Sequence, residues 1–217
     1  MTDASLSPLS PEAVTALFTR ADGQFLFARW GRPIVPVVFG VEDSTVSILK
    51  GAIEAVVALA GHKMAETDPE LGANLMVFFL RDWAELTATP NLDRLIPDLG
   101  PLVARLDEVG ANQYRSFRFD AAGGIKAGFV FIRMDDAMAQ APAETIALSQ
   151  IVQTILLWSD TAFLGTSPLA ILRDGGPAIL KPQIADLIRV AYDPALPVAA
   201  SDPALALRLA ARLGRVQ

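Results

Sequence analysis

Ser149, Gln150, Gln153 and Thr154 make up the polar side of a segment whose other side carries Leu148, Ile151, Val152 and Ile155 at i, i+3, i+4 and i+7. That spacing predicts a helix with two chemically distinct faces. Ser149 and Gln153 fall one turn apart, so a hydroxyl and an amide can line a cleft as hydrogen-bond donors and acceptors. Neither group accepts a proton at neutral pH as a general base must, which suits the face to binding. Carboxylates offer a second chemistry. Asp135 and Asp136, with Glu144 or Asp160, are candidates for an all-oxygen cation site or for carboxylate-based hydrolysis. The spacing of a calcium loop is absent, and the plain alternative is a solvated loop with charge at a helix N-terminus.

Other chemistries are closed off by composition. Cysteine is absent and His62 is the only histidine, so disulfides, thiolate sites, multi-histidine metal sites and a histidine relay cannot be built. His62 with Glu66 lacks metal-ligand spacing, and His62 reads as a surface or strand-end histidine. Gly165-Thr166-Ser167 is not a nucleophile elbow. Ala122-Gly123-Gly124 lacks the Lys-Ser/Thr tail of a phosphate loop and reads as a hairpin turn. Eighteen basic against twenty-four acidic residues give a net charge of −6, which argues against a nucleic-acid partner. Arg208, Arg212 and Arg215 read as the solvent face of a terminal helix, and Trp30 and Trp158 as core anchors.

The elements that must position these groups follow a mixed order. Residues 1–20 form an N-terminal segment, Ser/Pro-rich and then amphipathic over 11–20, ahead of one domain spanning 21–217. Strands are expected at 24–30 and 34–39, with Pro36 marking an edge or a bulge. A helix over 45–60, capped by Asp43 or Ser44 and ended by Gly61, comes next. Residues 62–67 read as a weak strand and 73–80 as a strong one, followed by helical pieces over 82–110. Residues 116–120 and 125–134 form a hairpin. The helix bearing Ser149 runs from Pro142 to about Trp158, and a Gly/Pro loop covers 164–177. Two helices finish the chain, one opened by Pro182 and one after Ser201-Asp202-Pro203. No apolar run reaches a membrane span, and no signal peptide opens the chain. The expectation is a cytoplasmic protein as the chain stands, or a periplasmic one if a leader is missing.

With these elements in order, the chain resembles a bacterial domain-of-unknown-function family with a zincin-like layout, in which the metallopeptidase HExxHxxGxxH motif is already altered. Arg29-Trp30-Gly31-Arg32-Pro33-Ile34-Val35-Pro36-Val37 is similar to that family's opening R-W-x-x-P-I-x-V, and Ala73-Asn74-Leu75-Met76-Val77 to its asparagine-led strand. Residues 149–160 align with its altered histidine motif, and Leu187-Ile188-Arg189-Val190-Ala191-Tyr192-Asp193-Pro194 with its closing helix. The resemblance covers roughly residues 20–200. It implies an α+β fold: a zincin-like mixed twisted sheet, a long helix after the strands, and a helical C-terminal part.

The resemblance also implies where chemistry has been lost. The first zinc histidine falls on Ser149, the catalytic glutamate on Gln150, the second histidine on Gln153, the glycine on Leu156 and the third ligand on Ser159. Serine and glutamine replace every nitrogen ligand, and the cysteines that flank the motif in such families are absent. The expectation is therefore a catalytically silent protein without metal or cofactor. An edge strand and the face bearing Ser149, Gln150, Gln153 and Ser159 would frame a cleft for a peptide or protein partner. The alternatives are a metal-independent hydrolase using Asp135, Asp136, Glu144 or Asp160, and a structural subunit of a larger assembly.

Overall fold

The computed structural model of the protein describes residues 8–172 and 176–215. Along the chain it forms α1 (Pro11–Phe18), β1 (Phe27–Ala28), β2 (Pro36–Phe39), α2 (Asp43–Leu59) and β3 (Leu75–Leu80). Three short helices follow, α3 (Ala84–Ala88), α4 (Leu92–Leu95) and α5 (Leu99–Glu108), then the hairpin β4 (Gln113–Phe119) and β5 (Ile125–Arg133). After α6 (Asp136–Ala139) comes α7 (Ala143–Val152), and then β6 (Leu169–Ile171) and β7 (Ala178–Leu180). The chain closes with α8 (Pro182–Ala191), β8 (Ala199–Ala200) and α9 (Ala204–Leu213).

The fold is α+β, built on an open four-stranded sheet in the order β2-β3-β5-β4. β2, β3 and β5 run parallel, and β4 lies antiparallel to β5 at one edge. Alternation splits each inner strand between two cores. Leu75, Val77, Phe79, Val130 and Ile132 face α2, α7 and α8, whereas Leu80, Phe129 and Phe131 face α3, α4 and α5. Gly128 leaves room on β5 for close packing, since a Cβ there would meet Trp30, Phe117 and Leu75 at 3.3, 3.4 and 3.5 Å. Pro36 starts β2 at the opposite edge, where its missing N–H removes no ladder bond to β3.

Several elements differ from what the sequence suggests. Within the described part of the N-terminal segment, residues 8–20, Val14 and Phe18 of α1 are fully buried in the main core, with Phe18 stacked on Trp158. The strand expected over 24–30 shrinks to β1, paired with β8, plus single bridges at Phe25, Arg29 and Trp30. Residues 62–67 make one bridge, Met64 to Ile34, because Asp68 folds the following loop back on itself. Glu42 precedes α2 without a side-chain cap, so neither Asp43 nor Ser44 caps it. The expected loop over 164–177 contains β6, which pairs with β7; Arg173, Asp174 and Gly175 lie outside the described residues.

The largest departure is the end of α7, which stops at Val152 rather than near Trp158. A helix leaves its last carbonyls without an intrahelical partner, and here buried aromatic side chains take the carbonyl of the final residue and two just past it. Trp158 Nε1 donates to the Val152 carbonyl at 2.8 Å, Trp30 Nε1 to Thr154 at 3.0 Å and the Tyr192 hydroxyl to Ile155 at 2.8 Å. Leu157 N–H then donates to Ala28, and Leu156 bridges Arg29. Extended pairing and three aromatic donors thus replace the last turns. No helix among the described residues is long and apolar enough to cross a membrane.

Candidate functional site

β4 and α7 meet through side chains that the parallel strands alone would not bring together. The β4–β5 register pairs Gln113 with Ile132, Arg115 with Val130 and Phe117 with Gly128. Val130 and Ile132 face α7, so Gln113, Arg115 and Phe117 share that face by strand alternation. Gln150, on the last turn of α7, is 2 % exposed and spends its amide on this strand. Its Oε1 accepts from Arg115 Nη2 at 2.6 Å, and its Nε2 donates to Gln113 Oε1 at 2.9 Å. Arg115 Nη2 also donates to Gln113 Oε1 at 2.8 Å. The three side chains form a closed triangle of amides around one cation.

Arg115 is the unusual member. Its Nε is buried without a hydrogen-bond partner, and none of the ion pairs among the described residues includes it. Burial lowers its pKa to about 10, still far enough above neutrality to keep the charge. A guanidinium held by neutral amides retains most of its appetite for a carboxylate.

Backbone groups line the same edge. Arg133 N–H donates to Asn112, which fixes the phase of the antiparallel ladder. Tyr114, Ser116 and Arg118 therefore turn their backbone groups toward β5, and Gln113, Arg115 and Phe117 turn theirs outward. Among the described residues β5 is the only strand paired with β4, and these outward amides have no backbone partner. The Phe117 carbonyl accepts from Arg118 Nη1 at 3.2 Å. Arg118 lies over the Phe129 ring on the far face of the sheet, 5.7 Å from its centroid.

The residues singled out in the sequence divide into two places. Ser149 and Gln153 are half-buried and bonded to each other, Gln153 Nε2 donating to Ser149 Oγ at 3.0 Å. Gln150 points away from them into the β4 network rather than into a cleft they share. Ser159 is bonded elsewhere: its Oγ donates to the Thr19 carbonyl at 2.7 Å, and its N–H donates to Leu17. These two partners belong to the end of α1, and its others, Asp160 and Thr161, are its own chain neighbours. Gln113 and Arg115 were not singled out, although the i, i+2 spacing of a strand was the available signal.

The acidic candidates do not assemble. Asp135 caps α6 through the Met138 N–H at 2.8 Å, while Asp160 accepts from Ala21 N–H at 2.9 Å at the end of α1. Both carboxyls sit below their usual range, chiefly through these backbone hydrogen bonds. Among the described residues no three His, Cys, Asp or Glu side chains are grouped to hold a metal ion. Zinc does not fit the Ser149–Gln153 pair either, because a hydroxyl and an amide already bonded together offer no imidazole, thiolate or carboxylate. His62 donates from Nε2 to the Arg32 carbonyl at 2.9 Å, with its ring 5.1 Å from that of Tyr192.

A separate concavity of about 700 Å³ opens at the carboxyl ends of β2, β3 and β5. Gly40, Leu49, Phe79, Met134 and Ile146 give it apolar walls, and Arg81 and Glu85 stand at its rim. Gly40 adopts φ +83°, and a Cβ there would lie 2.1 Å from the Phe79 carbonyl, so only glycine permits this turn. None of the residues singled out in the sequence lines it. Comparison of the chain with protein-family models, with curated proteins and with solved structures found no match.

Proposed function

We propose that the chain is a catalytically silent, zincin-like binding protein that holds an extended peptide or protein segment along the outer edge of β4. The observation that carries this reading is the engagement of Gln150 by Gln113 and Arg115. In the zincin-like alignment Gln150 occupies the position of the general base. Its amide cannot accept a proton from water, and both of its polar atoms are already used. What stands nearby without a backbone partner, among the described residues, is the outer edge of β4, whose outward amides suit strand addition. Main-chain pairing provides affinity in that mode, and side-chain pockets on alternate positions provide selectivity.

Peptide display on the immobilised protein, followed by amide hydrogen exchange, tests this reading. Selected peptides are expected to slow exchange at Gln113, Arg115 and Phe117 while leaving the β5-facing amides unchanged. Protection confined to the rim of the 700 Å³ concavity would move the binding site there. Absence of any selected peptide, with the protein folded on the support, would end the strand-addition reading.

A further inference from the structure

We infer that the segment taken up by β4 is acidic and places a carboxylate side chain on Arg115; this rests on the strand-addition reading above. The outward backbone of Arg115 would pair directly with one residue of an added strand. Directly opposed residues send their side chains to the same face, about 5 Å apart at Cβ. An aspartate or glutamate opposite Arg115 would therefore stand beside its guanidinium on the α7 face. The guanidinium has been prepared for such a group in one respect: Gln113 and Gln150 fix it through Nη2, at 2.8 and 2.6 Å. Among the described residues no carboxylate pairs with it, although acidic residues outnumber basic ones in the sequence by twenty-four to eighteen.

The neighbouring positions define the rest of the segment. Two residues away along the added strand, on the same face, one side chain would meet Gln113 and the other Phe117, a polar and an apolar contact. A second copy of β4 is a poor occupant, since antiparallel pairing about Arg115 would bring two guanidiniums together on one face, and like charges directly opposed are destabilising. An acidic strand meets neither objection.

The test uses blocked heptapeptides of threonine and valine with a central glutamate, glutamine or lysine, titrated into the full chain. The glutamate peptide is expected to bind at least about tenfold tighter than the glutamine peptide, and the lysine peptide weakest, as expected for a hydrogen bond to a charged group. Arg115→Gln should abolish that preference, Arg115→Lys should retain part of it, and Arg208→Gln, exposed on α9, should leave it unchanged. A glutamate peptide N-methylated on its pairing edge should lose binding and the protection of Gln113, Arg115 and Phe117. Equal binding of the three central residues, with those amides protected, would overturn the acidic partner and leave strand addition standing. Binding that survives N-methylation, or no binding by any peptide to folded protein, would overturn both.

Discussion

Arg115 Nη2 lies 2.6 Å from Gln150 Oε1, joining the edge strand to the helix beneath it across thirty-five residues of sequence. A neutral amide thus stands where the charge of the arginine would attract a carboxylate. Because Gln150 is 2 % exposed, water cannot readily take its place if the amide is removed.

Gln150→Leu should therefore destabilise the protein by about 1–3 kcal/mol, since it takes the buried acceptor from the Arg115 guanidinium and leaves only the exposed Gln113 amide bonded to it. Gln150→Glu should stay within about 1 kcal/mol of wild type at pH 7, because the new ion pair offsets much of its own desolvation. The glutamate would have a folded pKa below its unfolded value of about 4.3, so its contribution would be present above that pH and lost below it. Urea melts at pH 7 and pH 4 measure both effects. A leucine variant as stable as wild type would mean that the triangle contributes nothing to the join.

Asp68 supplies a second, purely structural lock. Burial raises its pKa, but hydrogen bonds from the Glu70 and Leu71 N–H groups, the Asn74 amide and Arg32 outweigh this and hold it at about 2. The folded value lies below the ordinary 3.8, so the stabilisation is present above that pH and disappears as pH falls through about 2. Asp68→Ala should cost roughly 3–5 kcal/mol at pH 7, as for other buried charge partners removed singly. Asp68→Asn should flatten the stability profile over the same acid range. A wild-type profile already flat there would remove Asp68 as a cause of acid unfolding.

The sheet's hairpin was legible because its signals are local. Alternation in residues 116–120, the Gly123-Gly124 turn and the apolar run after Ile125 announce β4 and β5 without reference to the rest of the chain. The end of α7 was not legible, because Trp158, Trp30 and Tyr192 take the carbonyls of Val152, Thr154 and Ile155 at and just past that end, and two of those side chains come from distant segments. The apolar period through Ile155 continues past the helix because Ile155 remains buried after the backbone has become irregular. The site shows the same division. Ser149 and Gln153 could be paired from helical spacing alone, and they are hydrogen-bonded. Gln150 could not be matched with Arg115, since nothing in either segment reports the register that lays β4 over α7.

His62 should make stability fall under mild acid. Burial lowers its pKa below 6.5; the Arg32 carbonyl opposes that shift, and the charge of Arg29 adds to it. The unfolded chain then binds a proton that the folded one resists, so stability is full above about 6.5 and declines as pH drops through that value. One such group changes stability by at most about 1.4 kcal/mol per pH unit. His62→Gln keeps a donor for the Arg32 carbonyl but removes the titration. Its stability difference between pH 7.5 and pH 5.5 is expected to be smaller than that of wild type in paired urea melts. An unchanged difference would assign the acid sensitivity to another group.

Histidine substitution tests whether the α7 positions retain the geometry that the zincin-like alignment ascribes to them. Gln153 Nε2 reaches Ser149 Oγ at 3.0 Å, and Gln153 still has helical backbone angles, with φ −77° and ψ −5°. Ser149→His with Gln153→His should therefore set two imidazoles one turn apart and create a zinc site completed by water. Ser159 is bonded to the Thr19 carbonyl at the end of α1, so adding Ser159→His should change zinc affinity by less than about threefold. Leu156→Gly is omitted because Leu156 is fully buried and bridged to Arg29, where a cavity would confound the result. Competitive chelator titration of the double and triple variants, with circular dichroism to confirm folding, gives the comparison. A folded double variant with no zinc affinity would show that Ser149 and Gln153 do not present a ligand pair. A triple variant about tenfold or more tighter than the double would show instead that the Ser159 loop can return to α7, as the three-ligand alignment requires.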